Sequence, residues 1–156
     1  MEFTHLEEVL IRYGRELEQR YKWQVPTASH DLQNTAKFYI EHNGTQYEVG
    51  LNLQDYWYYS ENGRKAGKFP PINKIEEWIK IKPVIPRERN GYLPTEKQLA
   101  FLIARKIAEE GTEGKHTFRD VVEELNNEML MSIKNAILED LGDEIERYII
   151  TLGNKI

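Results

Sequence analysis

The residue types that could do chemistry here are few, and their spacing is poor for it. Four histidines, His5, His30, His42 and His116, include no pair three or four positions apart, and the chain has no cysteine. Metal sites on helices rely on such pairs, and thiolate sites rely on cysteine, so no bound metal is expected. Disulfides and thiol catalysis are excluded on the same count. Ser29, Ser60 and Ser132 lie in neither a G-x-S-x-G nor an S-x-x-K setting. Ser29-His30-Asp31 are sequence neighbours that point apart, whereas a triad is a spatial arrangement. The carboxylates fall mostly in helical series such as Glu123-Glu124 and Glu139-Asp140-Asp143-Glu144, the pattern of a solvated helix face. One acidic alternative is Glu48 with Glu41 and Lys37 on the polar face of a strand pair, holding Mg²⁺. No fixed spacing supports it. The chain reads as a non-enzyme, with no catalytic, cofactor-binding or metal-ligating residue expected.

The densest feature is the stretch from Tyr56 to Trp78, YWYYSENGRKAGKFPPINKIEEW. Its loop, Gly63-Arg64-Lys65-Ala66-Gly67-Lys68, is not a phosphate-binding loop. Phe69 stands where a hydroxyl is needed, the glycines are wrongly spaced, and Pro70-Pro71 keep a helix N-terminus away. Two readings stay open. Trp57, Tyr59 and Phe69 can anchor in a neighbouring protein while Arg64, Lys65 and Lys68 reach its acids, with the remaining aromatics in a core corner. Alternatively the segment 56–69 binds single-stranded nucleic acid, by stacking and charge, as an accessory protein. In an extended segment alternate aromatics face opposite sides, so at most half could form one platform. A net charge of -5 also argues against a generic nucleic-acid binder.

The elements that must hold this stretch can be read from period and turn chemistry. Leu6, Val9, Leu10, Tyr13, Leu17 and Tyr21 share one stripe, so a helix is expected over 4–22, opened by a Thr4–Glu7 capping box and ended by Pro26. Residues 23–34 read as a loop or a short helical turn. From about 35 to 53 the pattern is a β-hairpin about a two-residue Asn43-Gly44 type I′ turn. That turn places Ile40 opposite Tyr47, Phe38 opposite Val49 and Ala36 opposite Leu51. A short helix is expected over 72–80, with Ile72, Ile75 and Trp78/Ile79 inward, then a proline-rich connector over 81–94. Thr95 and Gln98 form a second capping box for a helix to about Glu110, with Leu99, Leu102, Ile103 and Ile107 in phase and Gly111 closing it. Thr117 caps a long helix with the stripe Phe118, Val122, Leu125, Met129, Ile133, Ile137 and Leu141. Gly142 is a candidate break in it, and 144–152 continues as helix or as a short strand. The class is α+β, an N-terminal helix, a hairpin-based antiparallel sheet and three further helices including a long C-terminal one, in a single domain over 1–156.

Charge is uneven along the chain. Asp55 to Arg89 carries eight bases against five acids, while Glu109 to the end carries twelve acids against five bases. One part of the chain could therefore attract the other part of a neighbouring copy, unless both are simply solvated surface. No run approaches the ~18 apolar residues of a membrane span, and no signal peptide is evident, so no membrane contact and a cytosolic origin are expected.

The ordered motifs resemble the tail-completion or head–tail joining (connector) proteins of bacteriophage necks. The likeness rests on Tyr58, Tyr59, Glu61 and Gly63 after a strand pair, then Gly67, Lys68, Pro70 and Pro71 leading into a helix with Trp78 and Ile79. It continues through LAFLIARKIAEEGT (Leu99 to Thr112), followed by His116 and Phe118, and covers roughly residues 30 to 130. Ala66 stands where many relatives carry proline. The resemblance implies a structural virion protein without cofactor, in the neck or tail region, assembled in the bacterial host cytoplasm. Copies would self-associate into a ring joining portal and head to tail, with other neck, portal or tail proteins as partners. DNA would be only the cargo passing through the lumen.

Overall fold

The structure is a computed structural model describing residues 3–25, 31–44, 46–82, 84–88 and 91–153. It is an α+β fold, with α1 Thr4–Gln24, α2 Asp31–Thr35, β1 Lys37–His42, β2 Tyr47–Asn52, α3 Trp57–Asn62 and β3 Gly63–Arg64, followed by α4 Ile72–Ile81, α5 Glu96–Glu110, β4 Thr112–Glu113 and α6 Thr117–Gly153. Contacts gather in two compact units. Unit 1 comprises Met1–Gln24, Ala36–Leu53 and Phe118–Ile156; unit 2 comprises Val25–Thr35 and Gln54–Thr117. The position expected to end α1, Pro26, lies outside the described residues.

Unit 1 forms around the apolar stripe of α1. Tyr13 and Leu17 meet Val121, Leu125 and Met129 of α6 in one buried cluster, with Val49 and Leu51 of the hairpin packed against it. Tyr21 sets its ring edge-on to Phe118 at 6.3 Å. Polar contacts fix how α1 lies along α6. Tyr13 donates to Asn126 at 2.9 Å, and Arg20 forks onto Glu128 at 2.9 and 2.6 Å.

Long-range capping, not the Thr4–Glu7 box, secures the start of α1. Phe3 occupies the cap position, its carbonyl accepting the Glu7 N–H at 3.0 Å, and its ring has no oxygen to offer the next donors. The Asp140 side chain, from α6, does so instead. It accepts the His5 N–H and the Leu6 N–H, each at 2.9 Å, and is buried to 2 % exposure. Burial pushes its carboxyl up, but the His5 and Leu6 N–H groups, which bond the charged form, outweigh that and hold it below the ordinary aspartate range.

The hairpin keeps the expected faces in a different register. Ile40 pairs with Val49, Phe38 with Leu51 and His42 with Tyr47, two residues out of step with a two-residue turn. Gly44 has φ of 90° but Asn43 does not reach positive φ, so type I′ geometry is not formed. The Asn43 side chain instead accepts the Gln46 N–H at 3.0 Å and closes a wider turn. A slip of two preserves which face is apolar, which is why the apolar pattern alone could not distinguish the two registers. Phe38 then lies against α1 where Gly14 stands, and a Cβ at Gly14 would enter the Phe38 ring.

The long helix also departs from expectation. Gly142 does not interrupt α6, which runs through 144–152 to Gly153 with no strand. Its buried line is Val121, Leu125, Met129, Ala136 and Asp140, while Leu141 is exposed. In unit 2, α5 begins with both halves of the Thr95–Gln98 capping box in place. The residues of α5 fully buried against its surroundings are Ala100 and Ala104, and Leu102 is exposed. Small side chains let α4, with Ile79 buried, pack on α5.

Two outcomes follow. Asp140→Asn retains shape but can satisfy only one donor fully, and should cost about 1–2 kcal/mol at neutral pH. Because the folded carboxyl titrates below its unfolded value, this contribution is complete above the unfolded pKa and is lost as pH falls through the folded one. In urea melts the wild-type advantage over Asp140→Asn should therefore shrink between about pH 5 and about pH 2; a constant difference would refute the cap. Gly14→Ala should lower stability by about 1–3 kcal/mol through the Phe38 clash, although helix propensity alone predicts a gain of about 1 kcal/mol. A raised urea midpoint would show that Phe38 yields freely.

Candidate interaction surface

The aromatic segment is helical, not extended. α3 carries Trp57, Tyr58 and Tyr59 on successive positions, roughly 100° apart instead of alternating. Neighbouring rings meet edge to face, Trp57 with Tyr58 at 6.3 Å and Tyr58 with Tyr59 at 6.0 Å. Trp57 is half-buried, whereas Tyr58 and Tyr59 are 56 % and 57 % exposed. Tyr58 thus belongs to the surface, whereas an extended reading of the segment sets it among the core-corner aromatics.

The basic loop is clamped at its base. β3 pairs antiparallel with β4, Gly63 opposite Glu113 and Arg64 opposite Thr112. Gly67 donates to the Ala108 carbonyl at 2.8 Å, Lys115 to Ser60 at 2.8 Å and His116 to Glu61 at 3.2 Å. Two backbone segments approach this closely only where side chains are missing. A Cβ at Gly63 would run into the Thr112 carbonyl, and one at Gly111 into the Arg64 carbonyl. Both glycines also have positive φ, 73° and 77°, which other residues adopt at a cost.

From this base Arg64 turns back over the Tyr59 ring, 5.9 Å from its centroid, and donates to the Lys68 carbonyl at 3.2 Å. The guanidinium is thereby fixed on the aromatic face, a cation–π arrangement that favours arginine over lysine. Lys65 and Lys68 are exposed. Phe69 is half-exposed and stacks at a tilt on Phe101 of α5, with centroids 5.7 Å apart. Along α5 the exposed Phe101 and Leu102 join Tyr92 in lining an open groove of about 600 Å³. Of the six residues expected from sequence, Tyr59, Lys65, Lys68 and Phe69 are exposed, while Trp57 and Arg64 are half-buried.

The acidic alternative on the hairpin resolves differently. Glu41 and Glu48 are cross-strand partners, and Tyr39 donates to Glu48 at 2.7 Å, while Lys37 stands opposite Asn52. Hydrogen bonding to Glu48 raises the Tyr39 hydroxyl above its usual value. Among the described residues no group of three or more His, Cys, Asp or Glu is placed to hold a metal ion. No helix among them is long and apolar enough to cross a membrane. The chain matches no protein-family model, no curated protein and no solved structure.

The clamp predicts a contrast between two glycines. Gly111→Ala should loosen the β3–β4 join, costing about 1–3 kcal/mol and speeding tryptic cleavage at Arg64, Lys65 and Lys68. Gly142→Ala, where an added Cβ meets nothing, should leave that cleavage unchanged. Equal cleavage rates in the two variants would mean that the glycines do not hold the loop.

Proposed function

We propose that the chain is a structural virion protein of the phage neck, a ring-forming adaptor that joins portal and head to tail and seals the DNA passage. The order of the motifs from Tyr58 to Phe118 supports this reading. The observation that carries it is the cluster of exposed rings, Tyr58, Tyr59 and Phe69, beside Arg64, Lys65 and Lys68 on a backbone-clamped loop. A pre-ordered aromatic and arginine surface loses little entropy on docking, and such side chains carry most of the energy of protein interfaces. Its basic rim suits exposed acids such as Glu123 and Glu124 on a neighbouring copy. A patch that binds a different patch on the next copy is heterologous, and repeated rotation closes it into a ring.

Native mass spectrometry and electron microscopy of the purified protein should show rings. The variant Tyr59→Ala, Lys65→Glu, Lys68→Glu should abolish them while leaving the circular dichroism unchanged. A chain absent from purified particles would sink the proposal. The Arg64–Tyr59 stack also suits the nucleic-acid reading. That alternative requires single-stranded DNA affinity that falls steeply with salt and is lost in the same variant.

A further inference from the structure

α6 has two apolar sides, and unit 1 covers only one. Met131, Leu138, Leu141, Ile145, Tyr148 and Leu152 are between 39 % and 66 % exposed. At roughly 100° per residue they fall opposite the buried line through Met129, Ala136 and Asp140. With Lys134 they step by three and four in turn, 131, 134, 138, 141, 145, 148 and 152, which is an a/d heptad seam. Such half-exposed chains present roughly 500 Å² of apolar surface in one stripe, the upper range for a monomer's largest patch. Past Asp143, which meets the His5 ring at 3.3 Å, every residue of the described part of the helix except Glu144 is exposed.

We propose that this seam is a two-fold contact with α6 of a second copy, running antiparallel. The stripe is self-complementary in that direction. Centring the pair between Glu139 and Asp140 sets Leu138 against Leu141 of the second copy and Met131 against its Tyr148. Between Leu130 and Leu152 the seam holds one charge, Lys134. The same register sets it against Ile145 of the second copy, at the level of Glu144 on the seam's flank. The Lys134–Glu144 pair therefore occurs twice, by symmetry. A parallel pairing would stack Lys134 on Lys134 and bring the acidic helix ends together, so charge selects the antiparallel form. The contact uses no residue of unit 2 and does not rest on the ring proposed above.

Sedimentation of the purified full chain should give twice its 18.5 kDa mass, or an even-numbered assembly if the unit 2 surface also engages. Leu138→Glu with Ile145→Glu alters exposed positions only, and should raise the dimer dissociation constant at least roughly a hundredfold. Lys134→Glu should weaken it roughly tenfold, and adding Glu144→Lys should restore it. Orientation is read from cross-linking, because the chain has no cysteine of its own. Met131→Cys and Tyr148→Cys chains should cross-link on oxidation when mixed, and neither should do so alone. That cross-link should survive Tyr59→Ala, Lys65→Glu, Lys68→Glu, so failure of the ring and failure of the seam are separately visible. A monomer at high micromolar concentration, a mass unchanged by the α6 variants, or self-linking of either single-cysteine chain would overturn the proposal.

Discussion

Unit 1 depends on the pairing of the first helix with the last. Leu17, Val121 and Leu125 are almost wholly withdrawn from water at that contact, and removing any one would leave a cavity that the two helices cannot easily close. The apolar contact alone would let α1 slide or turn along α6. Directional bonds at intervals remove that freedom, with Asp140 at the start of α1, Asn126 under Tyr13 and Glu128 under Arg20. The hairpin then rests on α1, its Phe38 N–H bonded to Glu18 at 2.9 Å and its Phe38 ring seated on Gly14. Each layer takes its position from the one beneath.

Unit 2 is held by a different kind of force. Its only fully buried helix positions on α5 are alanines, and much of its ordering comes from backbone hydrogen bonds between 60–67 and 108–116. Backbone zippers fix geometry without requiring large apolar side chains underneath. The rings of Tyr58, Tyr59 and Phe69 are left outside. A surface of this composition is costly to keep in water.

Much of this was legible in the residues, and the failures share a cause. The Thr95–Gln98 box, α4, α5 and the hairpin faces follow from local chemistry, which adjacent side chains settle among themselves. The hairpin register was missed because Asn43 preferred a side-chain bond to a left-handed backbone, a choice that the apolar alternation does not record. The cap of α1 was missed because its acceptor lies more than 130 positions away in sequence. On α6 a stripe advanced in steps of four drifts by about 40° per step, so Leu141 was carried away from the line that Ala136 and Asp140 follow. Of the second apolar side of that helix only Leu141 falls in the expected stripe; Met131, Leu138, Ile145, Tyr148 and Leu152 show as a face only once the helix is continuous past Gly142. The surface around the loop was found through its residue types, whereas Tyr58 and Leu102 needed the helices to be placed before their exposure could be seen.

The discontinuity of unit 1 bears on how the protein is made. Residues 1–24 and 36–53 leave the ribosome long before 118–156, yet their shared centre contains Val121 and Leu125. Until those arrive, α1 has neither its apolar floor nor the acceptor for its first amides, and the nascent hairpin carries Phe38 and Val49 uncovered. All residues of unit 2 lie at or before Thr117 and precede that last segment. The order in which these segments are made is thus not the order in which they meet: the middle of unit 1's sequence is occupied by unit 2, and 1–24 and 36–53 must wait across it for the residues that complete their centre.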